Sequence, residues 1–190
     1  EIPLRLVGSE MCIRDRLEED LCRRDFTVNA MAYNERDGLI DCFGGRSDLN
    51  KRLIRCVGEP EKRFEEDALR ILRALRFASK LDFAIEKKTA NAVLKEKDRL
   101  LNIANERIAK ELLSLLCGQG AGRVLREFPQ VFFVFLPELA PMLHFDQNTP
   151  YHNLPLWEHT AKSVESIAPQ RDLRLVMLLH DMGTVSYTHL

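Results

Sequence analysis

The chain has 190 residues, 45% of them hydrophobic and 30% charged, with a formal net charge of −1 and a sequence pI near 6.6. This leaves room for one large domain or two to three small ones with a buried core, and it excludes the global basic field of a protein that coats nucleic acid, so any RNA contact has to be local. The five cysteines form no CxxC pair and no ligand-like spacing, and neither a signal peptide nor an apolar run of about 18 residues is visible, which predicts a cytoplasmic protein in a reducing compartment.

Residues 1–16 and 184–190 stand apart from the rest. Leu6–Arg16 follows neither a helical nor a strand period, and both it and Val185–Leu190 are similar to translated sequencing-adapter read-through, so both ends are set aside as non-native. From Leu17 a polar lead-in reaches Arg23-Arg24-Asp25. Asp25 is placed to cap a short helix from Phe26 to about Met31, since a carboxylate accepts the orphan N–H groups of a first turn. Leu39-Ile40-Asp41 reads as a short strand after the Asp37-Gly38 turn, and Gly44-Gly45 as a tight turn before a helix near Ser47–Lys51. Leu53–Val57 then reads as a return strand that closes a mixed sheet. Gly58-Glu59-Pro60 marks entry into helix, with Pro60 in the first turn where its missing N–H costs nothing.

The next stretch, Arg63–Phe77, has two faces at about 100° per residue. Phe64, Ala68, Ile71, Leu72 and Leu75 share the apolar one, and Arg63, Glu66, Asp67, Arg70 and Arg73 the polar one. Asp67 and Arg70, at i and i+3, put a carboxylate acceptor beside a guanidinium donor. Cytosine and adenine present an amino donor next to a ring-nitrogen acceptor, whereas uracil and guanine present a carbonyl next to an N–H, so an Asp–Arg pair accepts the first two and repels the others. On spacing alone the simpler reading of the same pair is an i, i+3 salt bridge on a solvated face. Helix continues to about Phe128. Glu86–Lys97 forms a charged, solvated helix, Asn105 caps Glu106–Cys117, and Gly118, Gly120 and Gly122 end or interrupt it. Residues 128–155, punctuated by five prolines, read as a packed linker with little regular structure.

Three ordered strings carry a family resemblance. Arg23-Arg24-Asp25-Phe26-Thr27-Val28-Asn29-Ala30 resembles the RRDFTxNA motif of the bacterial class II tRNA nucleotidyltransferases, the CCA-adding enzymes of the poly(A) polymerase family. Gly38–Asp41 with Gly44–Leu49 resembles their hinge motif, and Glu66-Asp67-Ala68-Leu69-Arg70 their EDxxR motif. His152, Trp157-Glu158-His159 and His180-Asp181-Met182-Gly183 resemble the start of an HD domain. The resemblance covers about Leu17 to Gly183. It implies an α+β chain, mostly α-helical: the end of a nucleotidyltransferase head with its mixed sheet (17–58), a helical neck (59–128), a linker or body (129–150) and a truncated HD domain (151–183).

The resemblance further implies nucleotide binding by Arg24, Asp67, Arg70, Arg73 and Arg76, with Arg24 on sugar and phosphate. Asp25, Asn29, Arg63 and Glu66 support them, and His159, His180 and Asp181 are vestigial metal ligands of the HD type. Implied substrates are CTP and ATP, the implied cofactor Mg²⁺ and the implied partner the tRNA 3′ end, with neither membrane nor DNA. The DxD carboxylates that would hold Mg²⁺ occur nowhere in the 190 residues, so an interior fragment without catalysis of its own is expected. Poly(A) polymerase and CC- or A-adding enzymes share these motifs. A non-catalytic RNA-binding module and an HD phosphohydrolase are the readings from other classes.

Overall fold

The computed structural model describes residues 17–145 and 154–183. The adapter-like ends and His152 lie outside the described residues. Residues 17–22 are helical (α1) and lead into a short 3₁₀ turn, Thr27–Asn29. Asp25 does not cap that turn. Its N-cap is Phe26, and the Asn29 side chain instead accepts the Phe26 N–H at 3.1 Å. The longer helix expected up to Met31 is cut short because Ala32–Asn34 (β1) runs extended and pairs antiparallel with Gly38–Ile40 (β2), in the register Ala32 with Ile40 and Tyr33 with Leu39.

The Gly44-Gly45 turn stands as expected. Gly44 adopts φ 75°, and Gly45–Asn50 (α2) follows. Asp41 organises this start by accepting the N–H groups of Gly45 at 2.7 Å and Arg46 at 2.9 Å. Burial alone would raise its pKa, but the N–H groups of Arg46 and Gly45, with those of Phe43 and Gly44, hold it below the usual carboxylate value. Beneath α2, buried Asp48 accepts the Thr27 hydroxyl at 2.6 Å and the Arg55 guanidinium at 2.8 Å.

The return strand is shorter than expected, Leu53–Ile54 (β3), and its partner is Ala84–Ile85 (β4) in parallel. Parallel pairing needs a long crossover, here supplied by two helices, Pro60–Glu66 (α3) and Leu69–Leu81 (α4). Among the described residues the sheet is thus two separate two-stranded ladders plus a bridge from Phe26 to Cys56. Burial beside that bridge pushes the Cys56 thiol up to about 12, which leaves it a packed, unreactive apolar group.

α4 is the axis of the molecule. Ile71, Leu72, Ala74, Leu75 and Ala78 are fully buried along one face, and that face packs on Asn105–Leu116 (α6) through Leu115 and Leu116. Asn105 opens α6 rather than capping it; the N-cap is Ala104, without a side-chain bond. Lys87–Glu96 (α5), with Glu86 capping through the Thr89 N–H at 3.1 Å, lies across α3. Its charges are solvated, as expected, in pairs such as Lys88 with Glu59 at 2.8 Å.

After the glycines come Ala121–Glu127 (α7) and Pro129–Phe135 (α8), then a 3₁₀ run, Pro137–His144. The linker expected to pack with little regular structure does pack, but it is largely helical over 129–144. Prolines at the first turns start these short helices, and Val131, Phe132, Leu139 and Met142 are fully buried. Leu156–Ser166 (α9) and Arg171–Leu179 (α10) are the last helices among the described residues; Trp157 anchors α9 by donating to the Leu125 carbonyl at 3.0 Å and packing edge-on against Phe133.

Gly45 sits where α2 meets the 3₁₀ turn, and a Cβ there would lie 2.1 Å from the Thr27 carbonyl oxygen. A backbone oxygen cannot swing aside, so Gly45→Ala should destabilise by about 1–3 kcal/mol. The midpoint of thermal unfolding checks this; an unchanged midpoint would contradict the close approach.

Candidate nucleotide-binding site

The polar stretch that the periodicity treats as one helix is two helices with a corner at Asp67. Its backbone is extended, at φ −150° and ψ 104°, between α3 and α4. The cause is local: the Asp67 Oδ1 accepts the Leu69 N–H at 3.1 Å, an Asx turn that competes with helical hydrogen bonding. The apolar face survives the corner, since Phe64, Ile71, Leu72 and Leu75 are all fully buried. The polar face does not. Asp67 and Arg70 are not an ion pair, because the corner turns their side chains to different partners.

Arg70 is directed toward the segment before the 3₁₀ turn. It donates to Glu66 at 2.7 Å and to the Arg63 carbonyl at 3.2 Å, and its Nε lies 3.8 Å from the Asp25 carboxylate. Arg73, one turn on, hydrogen-bonds the other Asp25 oxygen. Arg63 donates to the Val57 carbonyl at 3.0 Å, to Glu66 at 3.0 Å and to the Cys22 carbonyl. The Arg70 hydrogen bond first, and then that of Arg63, hold the Glu66 carboxyl below its usual value. With the folded value depressed, this cluster is intact above the ordinary glutamate range and is lost only as pH falls through the lowered value.

The predicted stripe of Arg63, Arg70, Arg73 and Arg76 is thus largely occupied by protein acceptors, with side chains 13%, 16%, 32% and 20% exposed. Arg76 is not brought to the site. It pairs with Glu111 of α6 at 2.6 Å and stacks 4.3 Å over the Phe77 ring, so it fastens α4 to α6. Arg24 remains at the surface, half exposed, in a pair with Asp20 at 3.2 Å. Asp25 and Asn29 are both structural in what they touch: Asp25 joins the head segment to α4, and Asn29 closes the 3₁₀ turn.

Asp67 looks the other way, into an open cleft of about 400 Å³ lined by Phe64, Glu65, Glu66, Asp67, Ala68, Arg99, Asn102, Ile103 and Arg107. Its Oδ2 accepts from Arg107 Nη2 at 3.2 Å. Arg99, on the 3₁₀ turn Lys97–Asn102, pairs with Glu65 at 3.0 Å and Glu96 at 2.5 Å on the same rim. A carboxylate acceptor flanked by guanidinium donors and by the partly exposed side chain of Ile103 suits a planar heterocycle that offers an amino group. Arg107 escaped the sequence reading because it lies 40 residues from Asp67 with no local pattern linking the two.

At the other end of the chain, His159, His180 and Asp181 converge. The Asp181 Oδ2 lies 2.9 Å from His180 Nε2 and 3.6 Å from His159 Nε2, and the three offer ligand atoms within 4.8 Å of one another. Two imidazoles and a carboxylate are a donor set for a divalent transition metal rather than for Mg²⁺, which prefers oxygen. Among the described residues this is the one group of three or more such side chains so arranged.

Residues 5–55 match the family described as the poly A polymerase head domain, and residues 82–143 the family described as the probable RNA and SrmB-binding site of polymerase A. The chain is 51% identical over 112 residues to the CCA-adding enzyme of Ligilactobacillus salivarius, covering 59% of this chain and 28% of that protein. It is 48% identical over 125 residues to that of Geobacillus stearothermophilus, covering 65% of this chain and 31% of that protein. Among solved structures, the Bacillus stearothermophilus CCA-adding enzyme in complex with CTP superposes with a TM-score of 0.66 at 38% identity, over 88% of this chain and 40% of that one. The Thermotoga maritima CCA-adding enzyme complexed with tRNA superposes at 0.59 and 26%, over 90% and 48%. The chain spans about three tenths of the length of the curated relatives it matches. Over these parts of its length the chain is similar to the bacterial CCA-adding enzymes and to the poly A polymerase head domain.

Proposed function

We propose that this chain carries the base-reading and nucleotide-positioning part of a cytoplasmic tRNA nucleotidyltransferase that builds the CCA end from CTP and ATP. The observation that carries the reading is the meeting of two sequence-distant motifs. Asp25 of the Arg-Arg-Asp string grips Arg73 and approaches Arg70, while Asp67, at the corner of the same helix pair, presents its carboxylate to a nucleotide-sized cleft. Solved relatives in complex with CTP, with ATP and with tRNA support the same substrates and partner here. Relatives 46–52% identical are CCA-adding enzymes, which favours that activity over poly(A) synthesis.

In this reading Asp67 accepts the amino group that cytosine and adenine share, while Arg70, turned away toward Glu66 and Asp25, braces the corner that presents it. Uracil and guanine are rejected because their carbonyl faces the carboxylate and leaves both unpaired. Asp25 holds Arg70 and Arg73 in place. Arg24, at the surface and tied by a single exposed ion pair, serves the sugar and phosphates, contacts that carry no base information. Mg²⁺ would supply activation of the attacking hydroxyl and neutralisation of pyrophosphate, but the described residues offer no converging carboxylates for it, so no step is assigned to it here.

Equilibrium binding separates the two roles. Asp67→Asn should reduce the preference for CTP and ATP over UTP by about 1–3 kcal/mol, whereas Arg24→Ala should weaken all three alike. An unchanged preference in the Asp67 variant would sink the base-reading role, and a one-base bias in the Arg24 variant its phosphate role. The His159, His180 and Asp181 cluster is proposed as a weak, non-hydrolytic divalent site. Adding Mn²⁺ should broaden the imidazole resonances of His159 and His180 first; broadening elsewhere with these two untouched would remove that assignment.

A further inference from the structure

Asp67 is committed on both oxygens, to the Leu69 N–H at 3.1 Å and to Arg107 at 3.2 Å, while Arg70 is held by Glu66 at 2.7 Å. A base that reads Asp67 therefore meets a guanidinium already on the oxygen it needs. Arg107 stands in the first turn of α6, whose first-turn acid is Glu106. A cation there is opposed by the partial positive charge of the helix N-terminus, so its placement is not explained by helix stability. Its side chain is 53% exposed and that of Asp67 35%, so the pair is weak and exchangeable.

We propose that Arg107 tunes base preference as a competing partner of the Asp67 carboxylate: it occupies Oδ2 and yields that oxygen to a base whose amino group stands at the position cytosine and adenine share. The proposal rests on the base-reading role of Asp67 given above. An amino group replaces the guanidinium hydrogen bond with one of its own. Uracil and guanine carry a carbonyl at the position where cytosine and adenine carry that amino group, so in the same orientation they offer the carboxylate no donor there and leave the Asp67–Arg107 pair in place. Arg107 thereby weakens binding only of those nucleotides that use Asp67.

The test is equilibrium binding of CTP, ATP, UTP and GTP to the 190-residue chain, its Arg107→Gln, Arg107→Lys and Asp67→Asn variants, and the Asp67→Asn/Arg107→Gln double variant. Arg107→Gln should tighten CTP and ATP by about two- to fivefold, the range that an exposed ion pair supports, without tightening UTP or GTP. Arg107→Lys should restore the wild-type ratio, and Arg107→Gln should have no effect on the ratio when Asp67 is already Asn. A merely structural or phosphate-binding Arg107 would shift all four nucleotides together, and that result, or weaker CTP binding in Arg107→Gln, overturns the proposal. If the unaltered chain binds all four alike, or none, the base-reading role itself fails and takes the proposal with it. If it prefers CTP and ATP but Arg107→Gln leaves the ratio unchanged, only the role of Arg107 fails.

Discussion

The carboxylate of Asp25 is the tie on which the site depends. It follows the short helix α1 and takes hydrogen bonds or charge from two arginines on successive turns of α4. With its side chain only 14% exposed, it is a desolvated acceptor whose removal would leave Arg70 and Arg73 without their shared partner. Arg63 makes a second tie from the same helix pair to the carbonyl of Cys22. Between them they fasten the Arg-Arg-Asp segment to α3 and α4.

A consequence is that most of the arginines work as scaffolding. Arg63, Arg70, Arg73 and Arg76 are satisfied by protein carbonyls and carboxylates, and each ties α3 or α4 to another part of the chain. A chain of net charge −1 cannot attract RNA by its overall field, and these internal commitments leave few cations at the surface near the cleft. On the proposed reading, base selection then falls to hydrogen-bond complementarity at Asp67, where a mismatched carbonyl is penalised more than a matched amino group is rewarded.

Periodicity in the sequence located the buried faces of α3 and α4, because helical spacing of Phe64, Ile71, Leu72 and Leu75 is a direct record of what packs. Capping and turn residues gave the start of α3 at Pro60 and the turn at Gly44. What the pattern could not convey was the corner at Asp67: apolar residues on either side keep their phase, while one Asx turn redirects the polar ones. Partners distant in sequence were equally hidden. Asp25 looks like a helix cap until Arg73 is brought beside it, and Arg107 looks like a surface charge until α6 packs on α4. The segment 129–144 was misread because its prolines start short helices instead of preventing them, and its phenylalanines are core.

The central claim is that the corner between α3 and α4 is where a base is read. Hydrogen exchange of the Leu69 and Arg70 amides, whose acceptors are the Asp67 side chain and carbonyl, reports on that corner directly. CTP should slow exchange at these two amides while UTP at the same concentration leaves them unchanged. Equal protection by both nucleotides, or protection confined to α9 and α10, would contradict the account.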